Sequence, residues 1–171
     1  RRLQQYQWLY IHLAIVGEPT KMELAVAERG LMVLDCVAKG KAGHAARNEG
    51  INAIYEALKD IKWFKTHQFP KVSEVLGPVK MSVTVIEAGS QHNVVPAECK
   101  FVVDVRVPDT YSNEELLQLI KESVLCEVTA RSTRLNSSGL PSGHPLFKVA
   151  EQLNIPTYGS PTTSDQSLMP C

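Results

Sequence analysis

Four side chains in this sequence stand in settings that could do chemistry, and they lie far apart along the chain. Glu18, in Gly17-Glu18-Pro19-Thr20, closes the apolar run of residues 11–18. A carboxylate at the end of a buried strand is placed for a site, although a polar strand end that simply meets solvent is the plainer reading of the same residues. His44 sits in Gly40-Lys41-Ala42-Gly43-His44-Ala45-Ala46. Glycines and alanines around an imidazole leave room for a ligand or another backbone to come close, although a loop histidine with no task fits the same residues. Asn93 precedes Val94-Val95-Pro96 between two strand-like runs. Its amide can offer a donor and an acceptor to a ligand, or close an Asx turn. Arg106 shares a strand face with Asp104. It reads as a guanidinium fork for a substrate carboxylate or as an ordinary intrastrand ion pair.

Other chemistries lack their residues. His12, His67, His92 and His144 have no partner at metal-ligand spacing such as H-x-x-x-H, and are assigned to structure or surface. Cys36, Cys99, Cys126 and Cys171 form no C-x-x-C pair, which argues against a zinc cluster or thioredoxin-type site. Three of them lie in apolar strand-like runs, the setting of reduced buried thiols and of a cytoplasmic protein. Neither a G-x-S-x-G elbow nor a phosphate loop is present. Thr162-Thr163-Ser164-Asp165 reads either as a helix cap or as a site loop.

The elements that must position these groups follow from patterning. Lys+Arg and Asp+Glu number 18 each, with 44% apolar residues, so the composition is that of a soluble globular chain. A balanced charge argues against a nucleic-acid or anionic-membrane partner, and no apolar run reaches the ~20 residues of a membrane span. Residues 11–18 read as a buried strand and 31–41 as a second. The spacing of Ile51, Ile54, Leu58 and Ile61 predicts a helix, with Glu56, Lys59, Asp60 and Lys62 on its outer face, ending by Thr66 to Pro70. Residues 80–89 and 100–107 alternate as an antiparallel pair, placing Phe101, Val103, Val105 and Val107 on one face and Val102, Asp104 and Arg106 on the other. Ser112-Asn113-Glu114-Glu115 matches a capping box before a short helix. A strand over 126–135, a linker over 136–139, a helix over 144–153 and a strand near 155–158 complete the reading.

From 31 to 135 the order is strand, helix, strand, strand, helix, strand, a ferredoxin-like βαββαβ two-layer sandwich. The flanks have the parallel α/β character that the middle lacks, so the sandwich reads as an insertion: residues 29–136 within parts of an α/β domain at 1–28 and 137–171. Arg1 in place of an initiator Met, and an end in the unfinished apolar stretch 168–171, lead us to expect a piece of a longer protein.

Four separated blocks, IVGEPT, AERGLMVLDCVAKGKAGHAARNEGINAI, GSQHNVVPAECKFVVDVR and PTTSDQSLM, resemble in order the acetylornithine deacetylase and succinyl-diaminopimelate desuccinylase family of dinuclear zinc hydrolases. The likeness runs from about residue 11 to the last residues, and residues 1–10 fit it poorly.

The resemblance implies an α/β zinc-hydrolase catalytic domain holding two Zn2+ per subunit, with Co2+ as another possible metal, and an inserted ferredoxin-like lid through which subunits form a homodimer. It matches Glu18 to a zinc-ligating carboxylate and His44 to a lid histidine that reaches the neighbouring subunit's site. It matches Asn93 and Arg106 to lid residues that contact the substrate's polar groups. The implied activity is removal of an acetyl or succinyl group from a small N-acyl amino acid of the arginine or lysine pathways. The His44 N–H would help stabilise the oxyanion formed when a zinc-bound water attacks the amide. The remaining zinc ligands and the general base are expected outside this chain, so the 171-residue polypeptide alone is expected to be inactive. A non-catalytic homodimerisation module is the alternative. An RNA-binding platform is disfavoured, because the middle strands lack paired exposed aromatics.

Overall fold

The computed structural model describes residues 15–164 and Ser167. Residues 11–14 of the expected first strand, His12, Asp165, Cys171 and the apolar end at 168–171 lie outside them. Along the chain the elements are β1 (Leu24–Glu28), β2 (Gly30–Lys39), β3 (Gly43–His44), α1 (Ala53–Thr66), β4 (Lys80–Ala88), β5 (Val94–Val95), β6 (Glu98–Val107), α2 (Asn113–Ser123), β7 (Glu127–Ala130), β8 (Ser138–Gly139), α3 (Pro145–Gln152) and β9 (Thr157–Ser160).

Alternation builds the centre. β6 buries Phe101, Val103, Val105 and Val107 and leaves Val102, Asp104 and Arg106 half-buried on its other face. β2 does the same with Met32, Leu34, Cys36 and Ala38. The two strands pair antiparallel without a break from Gly30↔Val107 to Lys39↔Glu98. β4 and β7 complete a sheet of order β4-β6-β2-β7, every neighbour antiparallel. Both long helices cover its dry face: Phe64 of α1 meets Phe101 edge-on at 6.1 Å, and Leu116 and Ile120 of α2 join the same core. The result is a mixed α+β fold with helices on one side of an antiparallel sheet. Burying residues of this size supplies roughly 1.5–3 kcal/mol each.

The helices are capped as their sequences suggest. Ser112 Oγ accepts from Glu115 N at 3.1 Å, and Asn52 Oδ1 from Ile54 N at 3.0 Å. The face of α1 departs from expectation. Its buried residues are Ala53, Ala57, Asp60 and Phe64, whereas Leu58 is 51% exposed and Ile51 lies outside the helix, bridged to Lys41. Small residues face the sheet because α1 sits close to it. Asp60, expected outside, turns in because its carboxylate accepts from Leu125 N at 3.1 Å and Cys126 N at 2.8 Å, the amides that lead into β7.

The expected strand at 126–135 stops at Ala130. Beyond it Asn113 Nδ2 donates to the carbonyls of Thr133 and Leu135, at 3.0 and 2.9 Å, and the Leu135 carbonyl also accepts from Leu31 N of β2 at 2.9 Å. The chain then re-enters as β8, within the stretch expected to be a linker. β8, β1 and β9 form a separate three-stranded sheet, β1 antiparallel to β8 and parallel to β9, and only Arg29 separates β1 from β2. Of the strand expected at 11–18, residues 15–18 carry no strand pairing and Ile15 is 76% exposed. The strand of this region is β1, reached after a turn at Lys21 and Met22, whose φ values are 55° and 68°.

Candidate functional site

His44 is presented by a closed loop. Lys41 and Ile51 exchange two backbone hydrogen bonds, at 2.8 and 2.9 Å, which seal residues 41–51 into a bulbous turn. Gly43 is required there: a Cβ on it would lie 2.5 Å from the Glu49 carbonyl oxygen. The space that small residues leave around the imidazole is thus taken up partly by the loop's own backbone. The ring itself is exposed, and its Nδ1 accepts from Ala46 N at 3.2 Å. An acceptor Nδ1 places the proton of the neutral ring on Nε2, which points a donor away from the loop.

The same loop holds Asn93. β3 pairs antiparallel with β5, His44 opposite Val94, and Ala45 N donates to the Asn93 carbonyl at 2.9 Å. Asn93 is exposed, and among the described residues its side-chain amide makes no hydrogen bond, so the backbone closes this turn rather than an Asx contact. Beside the ladder lies an open depression of about 490 Å3, lined in part by Ala45, Asn52, Ile54, His92, Val95 and Pro96.

Arg106 lies elsewhere. It sits near the end of β6, opposite Leu31 on one side and Lys80 on the other, close to where β2 meets β1. Its Nε and Nη2 bind Asp104 bidentately at 2.7 and 3.0 Å, as the ion-pair reading expects. Nη1 has no partner among the described residues and remains available as a donor. The β3–β5 ladder adjoins Glu98 at the opposite end of β6, eight residues away, a span of roughly 26 Å at strand rise. The structure therefore brings His44 and Asn93 together and keeps Arg106 apart from both.

Glu18 is an exposed carboxylate in a turn, its carbonyl accepting from Thr20 N at 2.8 Å. Among the described residues no group of three or more His, Cys, Asp or Glu converges. Zinc takes about four ligands, so the donors present do not by themselves make a zinc site. No helix of the described residues is long and apolar enough to cross a membrane. His144 caps α3, accepting from Leu146 N at 3.3 Å, and His67 stacks on Trp63 at 4.4 Å, both structural as expected.

Sequence reading passed over Glu28 and Arg29. Glu28 is buried at 5% exposure and takes Ser138 Oγ at 3.1 Å and Ser164 N at 2.9 Å, while Thr163 Oγ1 donates to the Arg29 carbonyl at 2.6 Å. The Thr162-Thr163-Ser164 segment is thereby tied to the end of β1. Arg29 donates to the carbonyls of Leu76 and Pro78, clasping the loop before β4 to the joint between the sheets. A charged pair inside Ala25-Val26-Ala27-Glu28-Arg29-Gly30 was the available signal.

The peptidase dimerisation domain of the M20 class matches residues 26–125. The chain is 37% identical over 98 residues to a peptidase M20 domain-containing protein of Schizosaccharomyces pombe, covering 57% of this chain and 24% of that one. It is 28% identical over 127 residues to a succinyl-diaminopimelate desuccinylase of Cereibacter sphaeroides, covering 70% and 33% respectively. An acetylornithine deacetylase of Myxococcus xanthus is 30% identical over 115 residues, covering 63% and 30%. The chain thus spans a third or less of these curated relatives. In fold it is similar to the crystal structure of aminopeptidase PepT from Bacillus cereus, with a TM-score of 0.65 at 18% identity over 86% of this chain and 42% of that one.

Proposed function

The chain belongs to the M20 peptidase dimerisation-domain family, and from that premise we propose that it is the dimer-forming lid, with adjoining pieces of the body, of a metal-dependent N-acyl-amino-acid amidohydrolase. In this reading residues 29–136 are a ferredoxin-like lid, and the three-stranded sheet belongs to a body that 1–28 and 137–171 share with further chain. The strand order β4-β6-β2-β7, with two helices on one face, supports the lid assignment.

The observation that carries the proposal is the separation of His44 and Asn93 from Arg106 along β6. Arg106 stands at the end of the lid that meets its own body; His44 stands at the far end. A small substrate spanning a few ångströms cannot touch both within one copy, so the reaction centre takes Arg106 from one subunit and His44 and Asn93 from the other. Arg106 Nη1 binds the substrate carboxylate, with Asp104 holding the guanidinium plane. His44 Nε2–H and the Asn93 amide donate to the oxygen on which negative charge develops as the amide is attacked. Glu18 would be one ligand of a divalent metal whose other ligands lie outside the described residues.

The substrate class is an acetyl or succinyl amide of an amino acid of the arginine or lysine pathways, in line with the names of the two relatives above. Assay of the full-length protein against N-acetylornithine and N-succinyldiaminopimelate, before and after chelation, tests it. Chelator-sensitive hydrolysis of either is the expected result. A dimeric full-length protein that hydrolyses neither, under any divalent metal, would leave the chain a self-association module.

A further inference from the structure

We infer that the depression beside the His44 ladder receives the acyl half of the substrate, and that the acyl group it fits is uncharged, aliphatic and longer than acetyl. The inference rests on the shared-site reading above and narrows it, since a succinyl group ends in a carboxylate.

Val94 lines the depression and stands directly opposite His44 in the β3–β5 ladder. Side chains directly opposite on an antiparallel pair leave the same face, with Cβ atoms roughly 5 Å apart. Ala45 and His92 also line it, and they are the chain neighbours of His44 and Asn93. The groups that would donate to the developing oxyanion therefore border this space. In the shared site the substrate carboxylate is held by Arg106 of the other copy, so the amino-acid half of the molecule runs from the amide toward that guanidinium. The acyl carbons run the opposite way, on the side that brings His44.

The lining excludes a charged occupant. None of its residues is Asp, Glu, Lys or Arg. Asn52 and Ile54 bring the start of α1 to its edge, but the first amides of that helix are already engaged. Ala53 N donates to the Pro96 carbonyl at 3.1 Å, Ile54 N to Asn52 Oδ1 at 3.0 Å, and Tyr55 N and Glu56 N to the Asn52 carbonyl at 3.0 and 3.2 Å. No row of open N–H groups is left there to receive an anion. Arg47, on the loop that carries His44, pairs with Glu49 at 3.3 Å. A carboxylate or ammonium entering the depression would give up water without a charged partner in return.

An alkyl chain meets a better match. Ile54, Val95 and Pro96 are half-buried, and Ser90, Gln91 and His92 are the exposed polar groups around them. Apolar surface with a few neutral polar groups is the usual make-up of a small-molecule site. The volume of about 490 Å3 falls within the roughly 300–1,000 Å3 of such sites, and an acetyl methyl fills little of it. Each further methylene removes more apolar surface from water.

The full-length protein tests this with the N-acetyl, N-butanoyl and N-succinyl derivatives of ornithine and of diaminopimelate. The butanoyl amide should exceed the acetyl amide in kcat/KM on the order of fivefold, from two added methylenes at ~2- to 4-fold each, and the succinyl amide should be the poorest of the three. Val94→Lys and, separately, Gln91→Lys put an ammonium at the depression. Each should raise the succinyl-to-butanoyl ratio on the order of tenfold, and a ratio is insensitive to how much of the variant is folded. A raised ratio in either variant supports the subsite. A succinyl amide cleaved faster than the butanoyl amide by the parent protein, equal rates for acetyl and butanoyl, or a ratio unchanged in both variants overturns the subsite and leaves the shared-site reading standing. Hydrolysis of none of these amides overturns both.

Discussion

His44 and Arg106 are set apart along β6: His44 sits on the separate two-stranded β3–β5 ladder that adjoins the Glu98 end, and Arg106 lies eight residues from Glu98 along the strand, a span of roughly 26 Å. Each is placed by a different device. A sealed loop with an obligatory glycine presents His44, and a bidentate carboxylate holds Arg106 flat on the open face. Under the proposed reading, two groups so far apart would serve one small substrate only if a second copy completed the centre.

Replacing His44 by Ala in the full-length protein should lower kcat by ~10² or more, the usual cost of one oxyanion donor. His44 is exposed and its ring makes one hydrogen bond, from Ala46 N, so the melting temperature should stay within a few degrees. Steady-state kinetics beside thermal unfolding reads both. A near-normal rate would make His44 an ordinary loop residue.

The 171-residue chain by itself should hydrolyse neither N-acetylornithine nor N-succinyldiaminopimelate, even with Zn2+ or Co2+ added, since its described residues bring no three metal-ligating side chains together. Metal-dependent turnover by the purified chain, surviving a second purification step, would contradict this.

Asn113 is fully buried and ties the first turn of α2 to the segment after β7 through the Thr133 and Leu135 carbonyls. Asn113→Ala removes this donor from both carbonyls, with Leu135 O keeping Leu31 N at 2.9 Å, and should cost about 1–3 kcal/mol in urea unfolding. An unchanged midpoint would show that those carbonyls find other partners.

The described thiols should be inert. The Cys36 side chain, burial and nearby Asp60 all push the Cys126 thiol well up from 9.0, and burial raises Cys99. Alkylation at pH 8.5 should therefore label Cys99 and Cys126 only after denaturation, as peptide mapping would show. With folded values raised, the unfolded chain loses these protons first. The stability they contribute is complete below the ordinary thiol value and declines as pH climbs past it.

Much of the central four-stranded sheet was legible because alternation in residues 31–39 and 100–107 assigns each side chain a face without knowledge of its neighbours. The capping box at Ser112 is legible for the same reason, being local. What escaped reading is decided by partners distant in sequence. Asp60 is polar and lies inside because amides 65 and 66 residues away need an acceptor. Of the stripe Ile54, Leu58 and Ile61, Leu58 is half exposed and Ile61 only partly buried against the core, because Ala53 and Ala57 let the helix approach the sheet. His44 and Asn93 were both singled out, but their adjacency depends on a two-residue ladder too short to show in a pattern. The distance to Arg106 could be seen only once the direction of β6 was known.

The most direct measurement mixes two inactive full-length variants, one His44→Ala and one Arg106→Ala. Unfolded together and refolded at equal amounts, they form mixed dimers in which one centre keeps Arg106 from the first subunit and His44 from the second. Recovery to about a quarter of the parent activity is the predicted result, since half the dimers are mixed and each restores one of its two centres. Mixtures no more active than the variants alone, with mixed dimers demonstrated by mass spectrometry, would show that each centre draws both residues from one chain and would contradict the account.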